Sequence, residues 1–248
     1  MASSFIQSDR DTPDKIRMIL LVAFLSVSSV LTAQKQKPKN ESWYDDKILH
    51  FGFSIGFNTM DFKITPSLTN MRVDSVYPEV SKLNPGINIQ IVTDYRPAKN
   101  FDIRFLPGVS FGQRVVRFYN NKVLVNDQQR LESSFLEFPL LLKYKGIRLN
   151  NVRPYLVGGL NYRYDLAGKK EYDEDKPVYL RLRRSDLYYE FGPGFDFYLP
   201  YFKLSIEFKM SNGLRDILVH DSATRYPKYV NSVEKMKSQM WIIAFHFE

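Results

Sequence analysis

Trp241-Ile242-Ile243-Ala244-Phe245-His246-Phe247-Glu248, the last stretch of the 248-residue chain, sets the terms for reading everything before it. Its large side chains Trp241, Ile243, Phe245 and Phe247 fall on every second residue, while Ala244, His246 and Glu248 between them are small or polar. A period of two sends successive side chains to opposite faces of a β-strand, here with one apolar, aromatic face. Such a strand suits the closing stave of a transmembrane β-barrel. Lipid tolerates no unpaired sheet edge, so the last strand must find the first.

Seven more segments alternate in the same way. In the first, Leu49, Phe51, Phe53, Ile55 and Phe57 point one way and His50, Gly52, Ser54 and Gly56 the other. The second sets Ile87, Ile89 and Ile91 against Asn88, Gln90 and Asp94, and the third sets Phe101, Ile103, Phe105, Val109 and Phe111 against Asp102, Arg104, Gly108 and Ser110. The fourth has Leu136, Phe138, Leu140, Leu142 and Tyr144 opposite in phase to Ser133, Glu137 and Lys143. The fifth has Leu156, Leu160, Tyr162 and Tyr164 against Gly159, Asn161 and Arg163. The sixth and seventh pair Leu187, Tyr189, Phe191, Phe195 and Phe197 with Glu190, Gly192, Gly194 and Asp196, then Phe202, Leu204, Ile206 and Phe208 with Lys203, Ser205, Glu207 and Lys209.

The connections alternate between long (59–83, 113–131, 167–185, 211–237) and short (95–100, 146–152, 199–201). That rhythm predicts an all-β fold: an eight-stranded antiparallel up-and-down transmembrane β-barrel with long extracellular loops, short periplasmic turns and both termini periplasmic. A soluble barrel or sandwich would instead turn the aromatic face inward. It would also leave Gly52, Gly56, Gly108, Gly159, Gly192 and Gly194 on exposed strand faces, where glycine weakens pairing; a crowded interior accommodates them better.

Composition agrees. There is no cysteine, which removes disulfides, thiolate zinc sites, a Cys nucleophile and a lipoprotein anchor. The net charge of +8 does not depend on residues 1–33, which hold three basic and three acidic side chains. Because Lys and Arg are scattered over the connections, we read that charge as suited to an anionic membrane surface and not to nucleic acid. Mean hydropathy is only −0.32, and no stretch after residue 33 approaches 20 apolar residues, so no transmembrane helix is expected there. Residues 18–33 are uncharged, follow Lys15 and Arg17, and precede a polar, basic run from Gln34; they predict a signal peptide over 1–33, a periplasmic segment over 34–46 and an outer-membrane barrel over 47–248.

The inward faces carry Arg104, Glu137, Arg163, Glu190, Glu207 and Lys209, which predict structural ion pairs across a lumen too narrow for an open pore. Glu190 is expected opposite Lys209, and Glu137 opposite or diagonal to Arg163. A proton or ion path is the functional alternative. His50 and His246 fall inward on strands that should be neighbours, where a pair of imidazoles could bind metal or sense pH; a metal site would want a third ligand. His220, Asp221 and Ser222 name the parts of a hydrolytic triad, but consecutive residues do not easily converge as a triad must. Lys169 to Arg184 reads as a solvated loop. No catalytic, cofactor-binding or metal-binding residue is assigned.

Several strings go beyond a generic barrel pattern. They are His50-Phe51-Gly52-Phe53 with Asn58-Thr59-Met60-Asp61-Phe62, Arg104-Phe105-Leu106-Pro107-Gly108 with Phe111-Gly112-Gln113-Arg114, and Leu136-Glu137-Phe138-Pro139-Leu140-Leu141-Leu142-Lys143-Tyr144. Further along come Arg153-Pro154-Tyr155, Asn161-Tyr162-Arg163-Tyr164-Asp165 and Asp196-Phe197-Tyr198-Leu199-Pro200-Tyr201-Phe202-Lys203. Together they resemble the PorT family of outer-membrane barrels of the type IX (Por) secretion system, over nearly the whole chain from about Asp45. The resemblance implies a non-enzymatic outer-membrane accessory for export of C-terminally tagged cargo to the cell surface, in systems often linked to gliding motility. It implies other secretion-system subunits and outer-membrane lipids as partners, with no nucleic acid, small-molecule substrate or cofactor. An outer-membrane enzyme acting on lipid or peptide, and a passive adhesin or structural barrel, are the competing classes.

Overall fold

The structure, a computed structural model, describes residues 40, 44, 47–67, 76–81, 84–120, 123–167, 180–219 and 230–248. The expected leader and the run His220-Asp221-Ser222 lie outside these residues. Ten strands carry the described chain: β1 (Leu49–Pro66), β2 (Val76–Ser81), β3 (Asn84–Ala98), β4 (Phe101–Phe105), β5 (Gly108–Asn120), β6 (Val123–Lys145), β7 (Val152–Asp165), β8 (Ser185–Tyr198), β9 (Lys203–Gly213) and β10 (Val233–Phe247).

All pairings are antiparallel. β1 lies between β10 and β3, and β10, β9, β8, β7 and β6 follow one another around the wall until β6 meets β4 and β5, which both pair with β3. The sheet therefore closes on itself. β4 and β5 form a single stave, because Phe105↔Leu140 and Gly108↔Glu137 keep one register against β6. The interruption falls at Pro107, which has no N–H to donate. The ring thus has eight staves, in agreement with the eight alternating segments of the sequence. β2 continues the β3 stave at the mouth: it pairs with the same edge of β5 that β3 uses, its register shifted by two, and Ser81 faces Val115.

Alternation then sorts the side chains. Outward residues form an exposed apolar belt: Leu49, Phe51, Phe53, Ile55 and Phe57 on β1, Ile87, Ile89 and Ile91 on β3, Leu140 and Leu142 on β6, and Phe191 and Phe195 on β8. From Leu49 to Phe57 is nine residues, which at ~3.3 Å each and a tilt of about 40° span roughly 23 Å. That height matches the ~25 Å apolar band of an outer-membrane barrel. Inward residues are buried by the opposite wall. Gly194 shows how tightly: a Cβ there would lie 2.2 Å from Cζ of Tyr155, a side chain only 3 % exposed.

The connections correct the sequence reading. Strand continues through much of the expected long loops: β1 runs to Pro66, β10 starts at Val233, and β5 and β6 extend to Asn120 and from Val123. Beyond the lipid an outward face has no need to be apolar, so alternation of polarity fades where alternation of geometry does not. Val116 and Phe118 are buried on the inner side of this extension, in one cluster with Phe62, Leu180, Ile217, Leu218, Val230, Val233 and Met236. Residues 180–184 and 214–219 prolong the β8 and β9 staves beyond the strands, bridging at Leu182↔Leu218, and the Ile217 N–H still donates to the Met236 carbonyl at 2.9 Å. The Asp216 Oδ1 atom accepts the N–H groups of Leu218 and Met236, each at 3.0 Å. The mouth is closed by an apolar cap, and the stretch 180–184 belongs to it instead of to a solvated loop.

Substituting Gly194→Ala should destabilise the barrel by about 1 to 3 kcal/mol through overpacking against Tyr155. In a Tyr155→Leu background, itself weakened by loss of the hydroxyl bond to Glu207, the same substitution should cost less. Urea titration read by the difference in gel migration between unboiled and boiled samples checks both, and no difference in migration for the unmodified chain would contradict a closed barrel.

Candidate functional site: a linked charge network in the lumen

Below the apolar cap the lumen changes character. Met60, Phe135, Met240, Ile242 and Ala244 form a second buried cluster. Arg114 lies between the two regimes, bonded to the Ser133 hydroxyl and to Ser238 Oγ at 3.2 Å, with its guanidinium over the Phe62 and Phe135 rings at 4.4 and 5.2 Å. Beneath it are charges.

The six charged residues singled out in the sequence all project into the interior, none more than 2 % exposed. Arg163 Nε lies 2.7 Å from Glu137 Oε1 on the facing position of β6, and its Nη2 lies 2.8 Å from Glu190 Oε1 on β8. Lys209 Nζ lies 3.3 Å from Glu190 Oε2 and 3.1 Å from Glu207 Oε1. Glu207 Oε2 is in turn 3.2 Å from Arg104 Nη1. Anion and cation alternate without a break across β6, β7, β8, β9 and β4.

The chain of charges continues into residues the sequence reading did not select. Arg104 grips Asp94 through two 2.7 Å bonds, and its Nη2 also reaches Glu248 Oε1 at 3.0 Å. Glu248 Oε2 accepts from Lys203 Nζ at 2.7 Å and from the Tyr44 hydroxyl at 2.6 Å. Nearby, Lys143 Nζ is 2.8 Å from Asp196 and 3.9 Å from the centre of the Tyr155 ring, and Lys145 Nζ is 2.6 Å from Asp102. Neutral groups add further hydrogen bonds: Gln90 and Ser110 donate to Glu137, Asn161 and Ser211 to Glu190, Tyr155 to Glu207 and Ser205 to Asp196. Strand phase had already set Lys143, Lys203, Asp94 and Asp196 opposite the belt residues; what it did not show is that they join this network.

At the short-turn end Asn40 and Tyr44 lie against the floor of the barrel. Tyr44 stacks on His50 with ring centres 3.9 Å apart and meets Tyr198 edge-on at 6.0 Å. Burial and the Glu248 carboxylate push its phenol well above the ordinary range, so it stays a donor. Asn40 donates its backbone N–H to Asn151 Oδ1 at 2.9 Å, and its backbone carbonyl accepts from Arg148. Nothing in the composition of this polar segment marked Tyr44 as a plug.

Two expectations are corrected. Glu190 faces Ser211, not Lys209, because the turn holds four residues between the Tyr198↔Lys203 pair and shifts the register by two; the ion pair forms on the diagonal. His50 and His246 do not meet. His246 sits opposite Ser54, four residues from His50 or about 13 Å along the strand. Its Nε2 lies 3.6 Å from Glu207, while His50 faces Asp94. Among the described residues no group of three or more potential metal ligands assembles.

A double-mutant cycle with Glu190→Gln and Lys209→Met should show coupling of at least about 0.5 kcal/mol. Removing a single hub should matter more. Arg104→Met leaves the carboxylates of Asp94, Glu207 and Glu248 close together, and should destabilise the barrel by about 3 to 5 kcal/mol in a urea titration.

Several solved structures bear a distant likeness to this chain. OprG of Pseudomonas aeruginosa is 15 % identical over 86 % of this chain and 97 % of its own, with a TM-score of 0.44. Ail, the attachment invasion locus protein of Yersinia pestis, is 14 % identical over 79 % and 96 %, with a TM-score of 0.35. The outer membrane protein AlkL is 12 % identical over 87 % and 94 %, with a TM-score of 0.38. No residue or activity is carried over from likenesses of this size. Among curated proteins none matches the chain. The family described as outer membrane protein beta-barrel domain, however, matches residues 32–219, most of the sequence. The chain belongs to that family and is an outer-membrane β-barrel.

Proposed function

We propose that this barrel is a non-enzymatic component of the type IX protein secretion machinery, needed for export of C-terminally tagged cargo and linked to gliding motility where that occurs. The likeness of the strings from His50 to Lys203 to the PorT family motivates the machine. The observation that carries the mode of action is the filled lumen. The linked charges from Glu137 to Lys203, the apolar cap and the Tyr44 plug occupy the interior from end to end. An eight-stave barrel filled in this way is no conduit for a folded polypeptide, so cargo passes elsewhere and this chain acts through its surfaces.

In this reading both termini and the short turns face the periplasm, and the long connections face outward. Other secretion-system subunits are held by the outer extensions or by the basic turn with Lys145, Arg148 and Arg153. A catalytic role would instead need His220 and Ser222, and a passive adhesin or structural barrel would leave export untouched.

Shortening each long connection to a tight turn should abolish export of tagged cargo for at least one variant, with assembly confirmed by migration of the unboiled sample. His220→Ala with Ser222→Ala should leave export intact. Normal export from every shortened barrel, or a block caused by the double Ala variant alone, would remove this reading in favour of a passive or a catalytic one. Protease added to whole cells should cut the long connections and spare the 146–151 turn.

A further inference from the structure

Just outside the apolar belt, at the end bearing the long connections, β1 and β10 set lysines against each other on the outward face. Lys63 is directly opposite Lys237, and in the next outward row Thr65 is opposite Lys235. All three lysines are exposed. Opposed side chains on one face of an antiparallel pair have Cβ atoms ~4.5–5.5 Å apart, and like charges so placed repel. The fold holds this repulsion in place, although a strand slip or a single substitution would have relieved it.

Their height on the wall says what answers it. Four residues nearer the centre, Trp241 faces Thr59, and the next outward row is Phe57 and Ile243. Aromatic side chains such as Trp mark the level where hydrocarbon gives way to headgroups. With a tilt of about 40°, the lysines sit roughly 10 Å beyond the Trp241 row, in the headgroup layer. The protein itself supplies little counter-charge. The Asp61 carboxylate, one outward row nearer the belt, accepts the Phe62 N–H at 2.7 Å. Glu234 comes no closer to Lys235 than 4.0 Å, with both side chains more than half exposed. Among the described residues no carboxylate lies within 4.0 Å of Lys63 or Lys237.

We propose that Lys63, Lys235 and Lys237 form a binding site for the phosphate-bearing headgroup of a membrane lipid. Ammonium groups are compact donors suited to phosphate oxygens, and the Thr65 hydroxyl lies in the same cluster. The acyl chains of such a lipid would run past the single Asp61–Gln239 row onto the Phe57, Trp241 and Ile243 wall. A lipid therefore fits better than a soluble anion. If the long connections face outward, as proposed above, the lipid belongs to the outer leaflet; the site itself does not depend on that orientation.

The test uses the refolded barrel in symmetric phosphatidylcholine vesicles containing a minor fraction of spin-labelled phosphatidic acid. Association of the labelled lipid with the unmodified barrel should exceed that of labelled phosphatidylcholine. The preference should fall roughly fivefold per lysine in Lys63→Gln, Lys235→Gln and Lys237→Gln combinations. Lys99→Gln, at the opposite end, should leave it unchanged. A second readout reverses sign with the environment: Lys63→Gln should not lower the unfolding temperature in uncharged detergent, but should lower it in the anionic vesicles. The proposal is overturned if the triple variant keeps the lipid preference, or if Lys63→Gln changes stability equally in both media. It is also overturned if inorganic phosphate in detergent protects the barrel as well as the lipid does, which would make the site one for a soluble anion. Because the vesicles are symmetric, none of these outcomes turns on the orientation of the barrel or on its part in export.

Discussion

The constraint behind the rest is that hydrocarbon offers no partner to a backbone N–H or C=O, so the sheet must close. It closes between the first and last strands, where β1 and β10 keep one register from Phe53↔Phe247 to Thr65↔Lys235. Closure at eight staves leaves a bore that only side chains can fill. Everything that follows concerns how they fill it. Two prolines test the rule: Pro107 accepts from Ile91 and Pro139 from Leu106, but neither can return a hydrogen bond. The stave keeps its register through this weak place because its neighbours continue above and below it. The lumen behind it is lined by Val92, Leu106 and Leu141, a buried apolar cluster with no need of polar partners.

Filling is done in two ways along the axis. Toward the mouth the strands have left the lipid and the interior becomes an ordinary apolar core, with Val116 and Phe118 packed under Leu180 and Leu218. Toward the floor the interior is almost wholly charged. The short-turn end has only brief connections and could not fold a comparable cap over itself. The long connections at the other end supply Leu180, Ile217 and Val230, residues no hairpin turn has room for. The apolar core thus sits where chain length allows one, and ion pairs fill the rest.

This division explains what could be seen in the sequence. Within the belt one face had to be apolar, so the phase of every stave and the Glu137↔Arg163 pair were legible from alternation. Turn geometry was not, and the four-residue 199–202 turn sets Glu190 against Ser211, two residues from Lys209. Above the lipid, Val115, Val116, Arg117 and Phe118 give no polarity contrast between faces, which made a strand look like a loop. Tyr44 could not be seen because its role depends on where Glu248 and Lys203 are carried by the closed ring.

The charged filling also does something an apolar one could not. A strand slip of one residue would turn the aromatic belt inward, so alternation alone forbids it. A slip of two residues would keep every belt residue outward, and hydropathy could not oppose it. The network does. Moving β7 by two residues along β6 would take Arg163 away from the Glu137 it directly faces, leaving a buried charge without its partner. Because Arg104 joins Asp94, Glu207 and Glu248, the staves carrying β3, β4, β9 and β10 are fixed by one side chain. Belt and network together exclude odd and even slips, so a ring of similar strands has one register in which every buried charge is paired.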